Sequence, residues 1–251
     1  MLPPVHEKLA TIDVIRRNDA EPDLERVALI EAAVVVERAE TLDDIDAAFR
    51  IERIVFEESG YGHMPQELDA QSTFYLAKSV ATGEPIGCLR MIAGAPEPLP
   101  MMAMPLSGEW IERLARVAPH QLCEYGAMAV PSYVHADLGF TVAKALFREG
   151  YIHTLAEGIE WSGLVMEPRR ARALARWNGL LFEQAGPTTF YMGGDVATFV
   201  ASPRALYDST IQLNPGFAAY VLKKLNPADY PILRGLIENS ADTSLLPSSG
   251  F

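Results

Sequence analysis

The sequence predicts an α/β fold in which helices cover the faces of one mixed β-sheet. Its 251 residues are 49% hydrophobic, which is enough apolar material for a buried core. β-Branched and apolar runs alternate along the chain with amphipathic runs of helical period. Two of the strand-like runs, 72–80 and 84–92, are separated only by Ala-Thr-Gly and predict an antiparallel hairpin. A sheet that combines this antiparallel hairpin with strands joined through helices would be mixed.

The first half of the predicted core contains a strand, a helix and the hairpin. Residues 1–28 are polar and poorly periodic, and we interpret them as an N-terminal arm. The β-branched run 32–39 predicts a strand. Thr41, with Asp44 three residues later, is typical of a helix start, and the amphipathic run that follows reaches Ser59. A long loop containing Gly and Pro then leads to the hairpin.

The second half of the predicted core alternates helices and strands. Helical patterns cover residues 109–117, 140–158 and 169–186, and strand patterns cover residues 121–130, 160–168 and 188–202. Beyond residue 204 the chain is expected to form one or two short helices and a tail rich in Ser and Pro. The sequence therefore predicts three parts: an arm (1–28), one α/β domain (29–204) and a helical C-terminal extension (205–251).

Charge and cysteine content exclude several classes of protein. With 33 acidic and 21 basic side chains the net charge is −12, which opposes broad binding to nucleic acid or to an anionic membrane. We find neither a secretory leader nor a run of ~20 apolar residues that would span a bilayer. Cys88 and Cys123 lie in apolar segments without metal-ligand spacing. We therefore interpret them as buried thiols and expect a cytoplasmic protein without a bound metal.

Several short motifs carry a resemblance to a known family. They are Arg53-Ile54-Val55-Phe56 followed by Gly60-Tyr61, Glu67-Leu68-Asp69 before the hairpin, Gly87-Cys88-Leu89-Arg90 within it, and a later strand that runs from Glu124 to Ala129-Val130. With the element order, these motifs resemble the GNAT-fold N-acyltransferases. The nearer branch holds the acyl-homoserine-lactone synthases and the long-chain N-acyl amino acid synthases. Ser72, where the lactone synthases usually have a further Asp, looks more like the amino acid synthases. Gly126 and Ala127 replace a Ser-Arg pair that the family commonly has.

The resemblance implies where acyl transfer would take place. GNAT folds splay two parallel strands apart to admit a pantetheine arm, and here those strands would be 121–130 and 160–167. Glu124 would be the general base for the attacking amine, directly or through water. Backbone groups farther along the same strand would bind the pantetheine and the thioester oxygen, at Gly126, Met128, Ala129 and Val130. On the residues alone, this segment could equally be an ordinary buried strand and Glu124 an ion-paired residue.

The stretch after this strand bears on the identity of the acyl donor. Acetyl-CoA-dependent relatives hold the pyrophosphate in a glycine-rich loop, but residues 133–140 keep only Gly139, and Asp137 would repel a diphosphate. Many GNAT enzymes also have a Tyr near the end of the last core helix, where Phe182 precedes Gly186 here. We therefore expect acyl carrier protein, rather than CoA, to deliver the acyl-phosphopantetheine cosubstrate, with no permanently bound cofactor.

A basic cluster stands out in this acidic chain. It consists of Arg169, Arg170, Arg172 and Arg176, at the start of one predicted helix. Because a carrier protein is acidic and its prosthetic group is a phosphodiester, the cluster is a candidate docking surface. A solvated helix face is the alternative interpretation.

The acceptor amine would meet a set of charged and aromatic residues before and within the hairpin. The candidates are Arg53, Phe56, Tyr61, Glu67, Asp69 and Arg90. Carboxylates suit an amino group and Arg suits a carboxylate, so together they could hold both ends of an amino acid. The same charges could instead form a salt-bridge network that fixes the loop.

The sequence therefore predicts an N-acyltransferase that moves an acyl group, expected to be fatty, from a phosphopantetheine thioester to the amine of an amino acid or related small metabolite. Two alternatives stay open: a short-chain, acyl-CoA-dependent acetyltransferase, and a GNAT-fold protein that binds an acyl chain or carrier protein without turnover. A hydrolase is disfavoured because Ser132, His135 and Asp137 crowd one loop and the chain has no Gly-x-Ser-x-Gly motif.

Overall fold

The structure is a computed structural model that describes residues 30–62, 65–134, 136–222 and 225. The expected N-terminal arm (1–28), His135 and the tail from residue 226 lie outside the described residues, as does the side chain of Asp137. A helical turn at residues 30–33 leads directly into the first strand.

Within the described residues, eight strands form the sheet. They are β1 (Val34–Arg38), β2 (Ser72–Ser79), β3 (Pro85–Ala93), β4 (Leu122–Ala129), β5 (Trp161–Met166), β6 (Glu183–Gln184), β7 (Thr189–Tyr191) and β8 (Gly194–Ala201). The spatial order is β1-β2-β3-β4-β5-β8-β6, and β7 also pairs with β8. Only β4 and β5 pair in parallel; the other described pairs are antiparallel. The predicted mixed sheet and its β2–β3 hairpin are confirmed.

Six α-helices surround the sheet in the described part of the chain. They are α1 (Leu42–Ser59), α2 (Gly108–Leu114), α3 (Ala136–Ala156), α4 (Pro168–Asn178), α5 (Pro203–Leu213) and α6 (Pro215–Leu222). The predicted start of α1 is confirmed, because the Thr41 hydroxyl accepts a hydrogen bond from the Asp44 N–H at 3.1 Å. The helix ends at Gly60, whose φ of 71° terminates helical geometry. None of the helices in these ranges is long and apolar enough to cross a membrane.

The fourth predicted helix and the last predicted strand were wrong in extent. The helix predicted over 169–186 ends at Asn178, because Gly179 adopts a φ of 71° and turns the chain toward β6. The strand predicted over 188–202 is a hairpin instead, in which β7 and β8 are joined at Met192 and Gly193. Both turn residues have positive φ values, 50° and 101°, which an extended strand does not contain.

Helices α1 and α3 pack on opposite faces of the sheet. The α3 side holds the largest core cluster, in which Leu89 and Tyr125 of the sheet meet Phe147. On the other face, Ile51 of α1 packs with Cys88 and its neighbours. Helices α5 and α6 join the α3-side cluster through a further set of buried side chains, including Leu206, Tyr207, Phe217 and Tyr220. The expected boundary at residue 204 therefore falls inside α5.

Both cysteines are free and buried, as expected from the sequence. Burial raises the pKa of the Cys123 thiol to about 12, and it also raises the pKa of the Cys88 thiol. Both side chains are therefore neutral at physiological pH and pack as small apolar groups.

The β7–β8 turn docks on the end of α1. The Gly62 N–H donates a hydrogen bond to the Met192 carbonyl at 2.9 Å. A Cβ at Gly193 would lie 2.4 Å from the Gly60 carbonyl oxygen, so only glycine allows this approach. The contact brings the far edge of the sheet to the loop that follows α1.

We expect Gly193→Ala to destabilise the protein more than Gly83→Ala. Both glycines have positive φ values, 101° and 73°, but a Cβ at Gly83 would have no heavy atom within 4 Å. Each substitution should cost ~1–2 kcal/mol of backbone strain. The clash should add ~1–3 kcal/mol at Gly193 alone. Urea unfolding measures both free energies, and equal losses would contradict the docking contact.

Candidate active site

Strands β4 and β5 separate after a short region of parallel pairing. The paired registers are Leu122 with Trp161, Cys123 with Ser162 and Glu124 with Gly163. Beyond them β4 remains paired with β3, and β5 remains paired with β8 as far as Met166. The two halves of the sheet therefore splay apart between the predicted pair of strands, and the facing edge of β4 beyond Glu124 has no ladder partner on β5.

A β-bulge at Gly126 lies directly after this point. Tyr125 pairs with Met91 and Ala127 pairs with Arg90, so Gly126 is the extra residue on β4. The bulge reverses the side-chain alternation: Tyr125 and then Met128 pack on the α3 side, whereas Ala129 packs on the α1 side. The sequence offered only a glycine as a signal for this feature.

An apolar cavity of about 310 Å³ occupies the splay. Its apolar lining comes from α1, α3, α4 and the strands, and includes Phe56, Tyr125, Phe147, Leu164, Met166, Leu174 and Val196. Polar groups are few: Glu124, the phenols of Tyr61 and Tyr191, and the charges of Glu167 and Arg170. A mostly apolar cavity with a few polar groups is typical of a small-molecule site.

Glu124 contributes a buried carboxyl group to the wall of this cavity. Its side chain is 2% exposed, and its Oε2 accepts a hydrogen bond from the Met101 N–H at 2.7 Å. Burial raises the pKa of Glu124 to about 8, although the Met101 N–H and the charge of Arg90 oppose the shift. A carboxyl group with such a pKa can accept and release a proton near neutral pH.

The other residues predicted on this strand divide into two groups. Gly126 and Met128 line the apolar cavity, and so does their neighbour Ala127, which was not among the candidate site residues. Ala129 is fully buried against α1, and Val130 packs at the edge of the α3-side core. Neither contributes to the cavity wall.

The predicted acceptor residues do not form one cluster. Phe56 and Tyr61 line the apolar cavity, whereas Arg53, Asp69 and Arg90 line a second, polar cavity of about 570 Å³. The other residues of this polar cavity are Asp46, Phe49, Arg50, Glu52 and Gln66. Glu67 is exposed and lines neither cavity. The sequence could not separate these groups because α1 contributes to both.

Arg90 is at the centre of a buried salt-bridge network. It is 1% exposed, and its Nη2 lies 2.7 Å from Asp69 and its Nη1 lies 3.6 Å from Glu52. Its Nε donates to the Ser72 hydroxyl at 2.9 Å, and that hydroxyl donates to the Leu68 carbonyl at 2.7 Å. Arg90 and Asp69 therefore form a salt bridge that fixes the 3₁₀ segment Gln66–Gln71 against β3.

Tyr61 and Glu167 form a bridge at the rim of the apolar cavity. The Tyr61 hydroxyl donates to Glu167 Oε1 at 2.6 Å. Arg169 bonds the other carboxylate oxygen, and the Nε of Arg170 lies 3.6 Å from it. The bond from Arg169, followed by that from Tyr61, lowers the pKa of Glu167.

Sequence reasoning missed Glu167, Tyr191 and Glu52. Tyr191 lies on β7 and lines the apolar cavity, and its pKa is raised by burial and then by the charge of Glu124. The Gly193-Gly194 pair is a hairpin signal that would have placed Tyr191 beside a turn. Glu52 carried no comparable signal, since its partner Arg90 lies in a different element.

The predicted donor residues surround the start of two helices. Gly139 lies in the first turn of α3, and a Cβ there would be 3.6 Å from Val130. Arg169, Arg170 and Arg172 are exposed on α4. Farther along α4 the aromatic ring of Trp177, 51% exposed, stacks edge-on with Phe140 of α3, and the charges of Arg176 and Lys144 lie over these rings.

Phe182 is not on a helix, because α4 has already ended at Asn178. Its ring is buried and contacts Tyr125 edge-on at 6.0 Å between centroids. The expected comparison with a helical tyrosine therefore does not apply at this position.

Solved structures share this architecture. The N-acyl amino acid synthase FeeM from uncultured soil microbes superposes with a TM-score of 0.57 at 18% identity, over 72% of this chain and 96% of that chain. The AHL synthase LasI gives 0.52 at 19% identity, over 73% and 94%, and TofI, in a ternary complex with an inhibitor and MTA, gives 0.51 at 17%, over 74% and 99%. No protein-family model and no curated protein matches the sequence. The GNAT fold expected from the sequence is confirmed.

We expect Glu124 to make folding stability fall as pH rises. The unfolded carboxyl loses its proton near pH 4.5, whereas the folded one keeps it to about 8, so rising pH favours the unfolded state across this window. The stability lost should be on the order of 5 kcal/mol at most. Urea unfolding of Glu124→Gln should lack this decline, while Glu112→Gln, an exposed control on α2, should retain it. A wild-type decline equal to that of Glu124→Gln would contradict the buried acid.

Proposed function

We propose that this chain is an N-acyltransferase that moves a fatty acyl group from a phosphopantetheine thioester to the amine of an amino acid or related small metabolite. The observation that carries the proposal is the position of Glu124. This buried carboxyl group, with a pKa of about 8, lies where β4 and β5 separate, in the wall of an apolar cavity. The fold shared with an N-acyl amino acid synthase and an AHL synthase supports the same reaction class.

Each chemical step has a candidate group in the cavity. The amine attacks the thioester carbonyl, a C–N bond forms, and the C–S bond breaks to release the pantetheine thiolate. Glu124 accepts the proton that the amine loses, directly or through water. Backbone N–H groups on the unpaired edge of β4, near Gly126 and Met128, are suited to the developing oxyanion. The protonated Glu124 then returns this proton to the thiolate, directly or through water, so that pantetheine leaves as the thiol.

The lining of the cavity favours a fatty acyl group over acetyl. A volume of about 310 Å³ enclosed mainly by Phe, Leu, Met and Val side chains exceeds what an acetyl group would fill. An acyl chain that displaces water from such walls gains hydrophobic free energy with every methylene. The short-chain alternative therefore has less support than the fatty acyl one.

The donor that we propose is an acyl carrier protein. Among the exposed arginines of α4, Arg170 lines the apolar cavity and Arg169 binds Glu167 at its rim, in a chain whose net charge is −12. A local cationic surface on an acidic protein is suited to an acidic partner that presents phosphopantetheine. The buried free thiols fit a reducing compartment, and we propose a cytoplasmic location.

The reaction is tested by mass spectrometry of products. The protein is incubated with carrier-protein and CoA thioesters from acetyl to tetradecanoyl, with pooled amino acids and S-adenosylmethionine as acceptors. We expect an N-acyl product from the longer chains, formed at a rate that rises with pH to about 8 as Glu124 ionises. Glu124→Gln should lower kcat by ~100-fold or more.

Two measurements separate catalysis from binding alone. Donor binding to Glu124→Gln should match the wild type, and Glu112→Gln should keep full activity. No product from any donor, with thioester binding still present, would favour the alternative of a protein that binds without turnover.

Carrier-protein docking is tested by charge reversal on α4. We expect Arg172→Glu combined with Arg176→Glu to raise KM for the carrier-linked donor by ~10-fold at low salt, because favourable long-range attraction is lost. KM for the matching S-acyl pantetheine should change much less. Arg116→Glu, on an exposed residue outside this surface, is the control. Equal effects on both donors would contradict docking at this helix.

A further inference from the structure

We propose that the polar cavity between α1 and the segment Gln66–Gln71 binds the acceptor as a zwitterionic α-amino acid, with its ammonium group at Glu52 and its carboxylate at Arg50 and Arg53. The identification of this ligand as the acceptor rests on the proposed function. The binding site itself does not, because its own side chains define it.

Glu52 has one carboxylate oxygen without a partner. The side chain is 8% exposed, and its Oε1 lies 3.6 Å from Arg90. Its Oε2 is buried and has no hydrogen-bond partner among the described residues. A buried acceptor left unsatisfied is costly and uncommon in folded proteins. Because Glu52 lines the polar cavity, a ligand N–H donor there would satisfy this oxygen.

Arg90 lies closer to Asp69 than to Glu52, so we assign Glu52 as the group that binds a cation. Arg90 is shared among Glu52, Asp69 and Ser72, and its closest contact is with Asp69 at 2.7 Å. Burial raises the pKa of Glu52, Arg90 lowers it, and the charge of Asp69 raises it again. An ammonium ion placed between Glu52 and Asp69 would relieve their mutual repulsion.

The exposed rim of the cavity carries two arginines on α1, Arg50 and Arg53, with the carboxylate of Asp46 one turn before Arg50. Arg50 and Arg53 are exposed, lie one turn apart on α1, and form no ion pair with another described residue. Two guanidinium groups at this spacing can hold a carboxylate by paired N–H···O bonds. The cavity therefore offers a buried acceptor at its floor and two donors at its rim, which matches the charge order of an amino acid.

The floor of the polar cavity is close to the apolar one. Arg90 pairs with Ala127 of β4, and Ala127 lines the apolar cavity. The charge of Arg90 acts on both Glu52 and Glu124. On α1, Phe56 lies one turn beyond Glu52 and also lines the apolar cavity. The two cavities are therefore lined by neighbouring residues of α1, β3 and β4, and the amino group would leave Glu52 before it reacts beside Glu124.

The test measures binding without any acyl donor. Isothermal titration calorimetry with each of the twenty free amino acids should identify at least one binder. For that amino acid, Glu52→Gln should raise Kd at least tenfold, and the double variant Arg50→Ala with Arg53→Ala should do the same. Glu57→Gln, on an exposed residue of α1, and Arg116→Ala are the controls and should leave Kd unchanged.

Two analogues of the same amino acid test which residues bind its amino group and which bind its carboxylate. The decarboxylated amine should bind the wild type weakly and be insensitive to the double arginine variant. The N-acetyl derivative should bind weakly and be insensitive to Glu52→Gln. If thermal unfolding shows that Glu52→Gln does not fold, the double arginine variant and the two analogues still test the proposal. Absence of binding by any amino acid, or equal Kd values in all variants, would overturn the proposal.

The outcome of this binding test can be distinguished from the outcome of the activity test for the proposed function. An N-acyl amino acid product formed with unchanged KM in both sets of variants would overturn this site and leave the acyltransferase standing. Amino acid binding that depends on Glu52 and the two arginines, with no product from any donor, would support the site and count against the transferase.

Discussion

The hydrogen bond from the Met101 N–H to the Glu124 carboxylate is the interaction on which the geometry of this molecule depends. It holds the buried carboxyl group at the last residue where β4 still pairs with β5. The Met101 side chain packs so closely on β5 that a Cβ at Gly163 would lie 2.0 Å from its sulfur. A larger residue at Gly163, at the register where the strands begin to part, would therefore displace the Met101 side chain.

The charge of Arg90 affects a titratable group in each of the two cavities, Glu52 and Glu124. Fully buried, it would be costly without partners, and it is surrounded by two carboxylates and a hydroxyl. Its charge also moderates the pKa of Glu124 from the neighbouring strand. One cation therefore keeps the loop before β2 in place and sets part of the environment of the carboxyl group in the other cavity.

Much of the fold was predictable because its signals are local. The Thr41 cap, the β2–β3 hairpin and the alternation of helices and strands each depend on residues close in sequence. The end of α4 was missed because apolar residues continue the helical pattern past Gly179, whose backbone conformation stops the helix.

The features of the site that the sequence did not predict depend on contacts between distant elements, which no periodicity encodes. They are the bulge at Gly126, the bridge from Tyr61 to Glu167 and the pair of Glu52 with Arg90. The family likeness located the splay but not the division of the acceptor residues between two cavities.

The docking of the β7–β8 turn on the loop after α1 has a kinetic consequence. One side of the cavity rim is contributed by the first helix of the core and the other by the last hairpin of the sheet. Contacts between segments so distant in sequence form late, since the chain between them must be ordered first. During synthesis, the apolar cavity therefore cannot close until the hairpin has emerged. An incomplete chain would expose those apolar walls to solvent and to other unfolded chains.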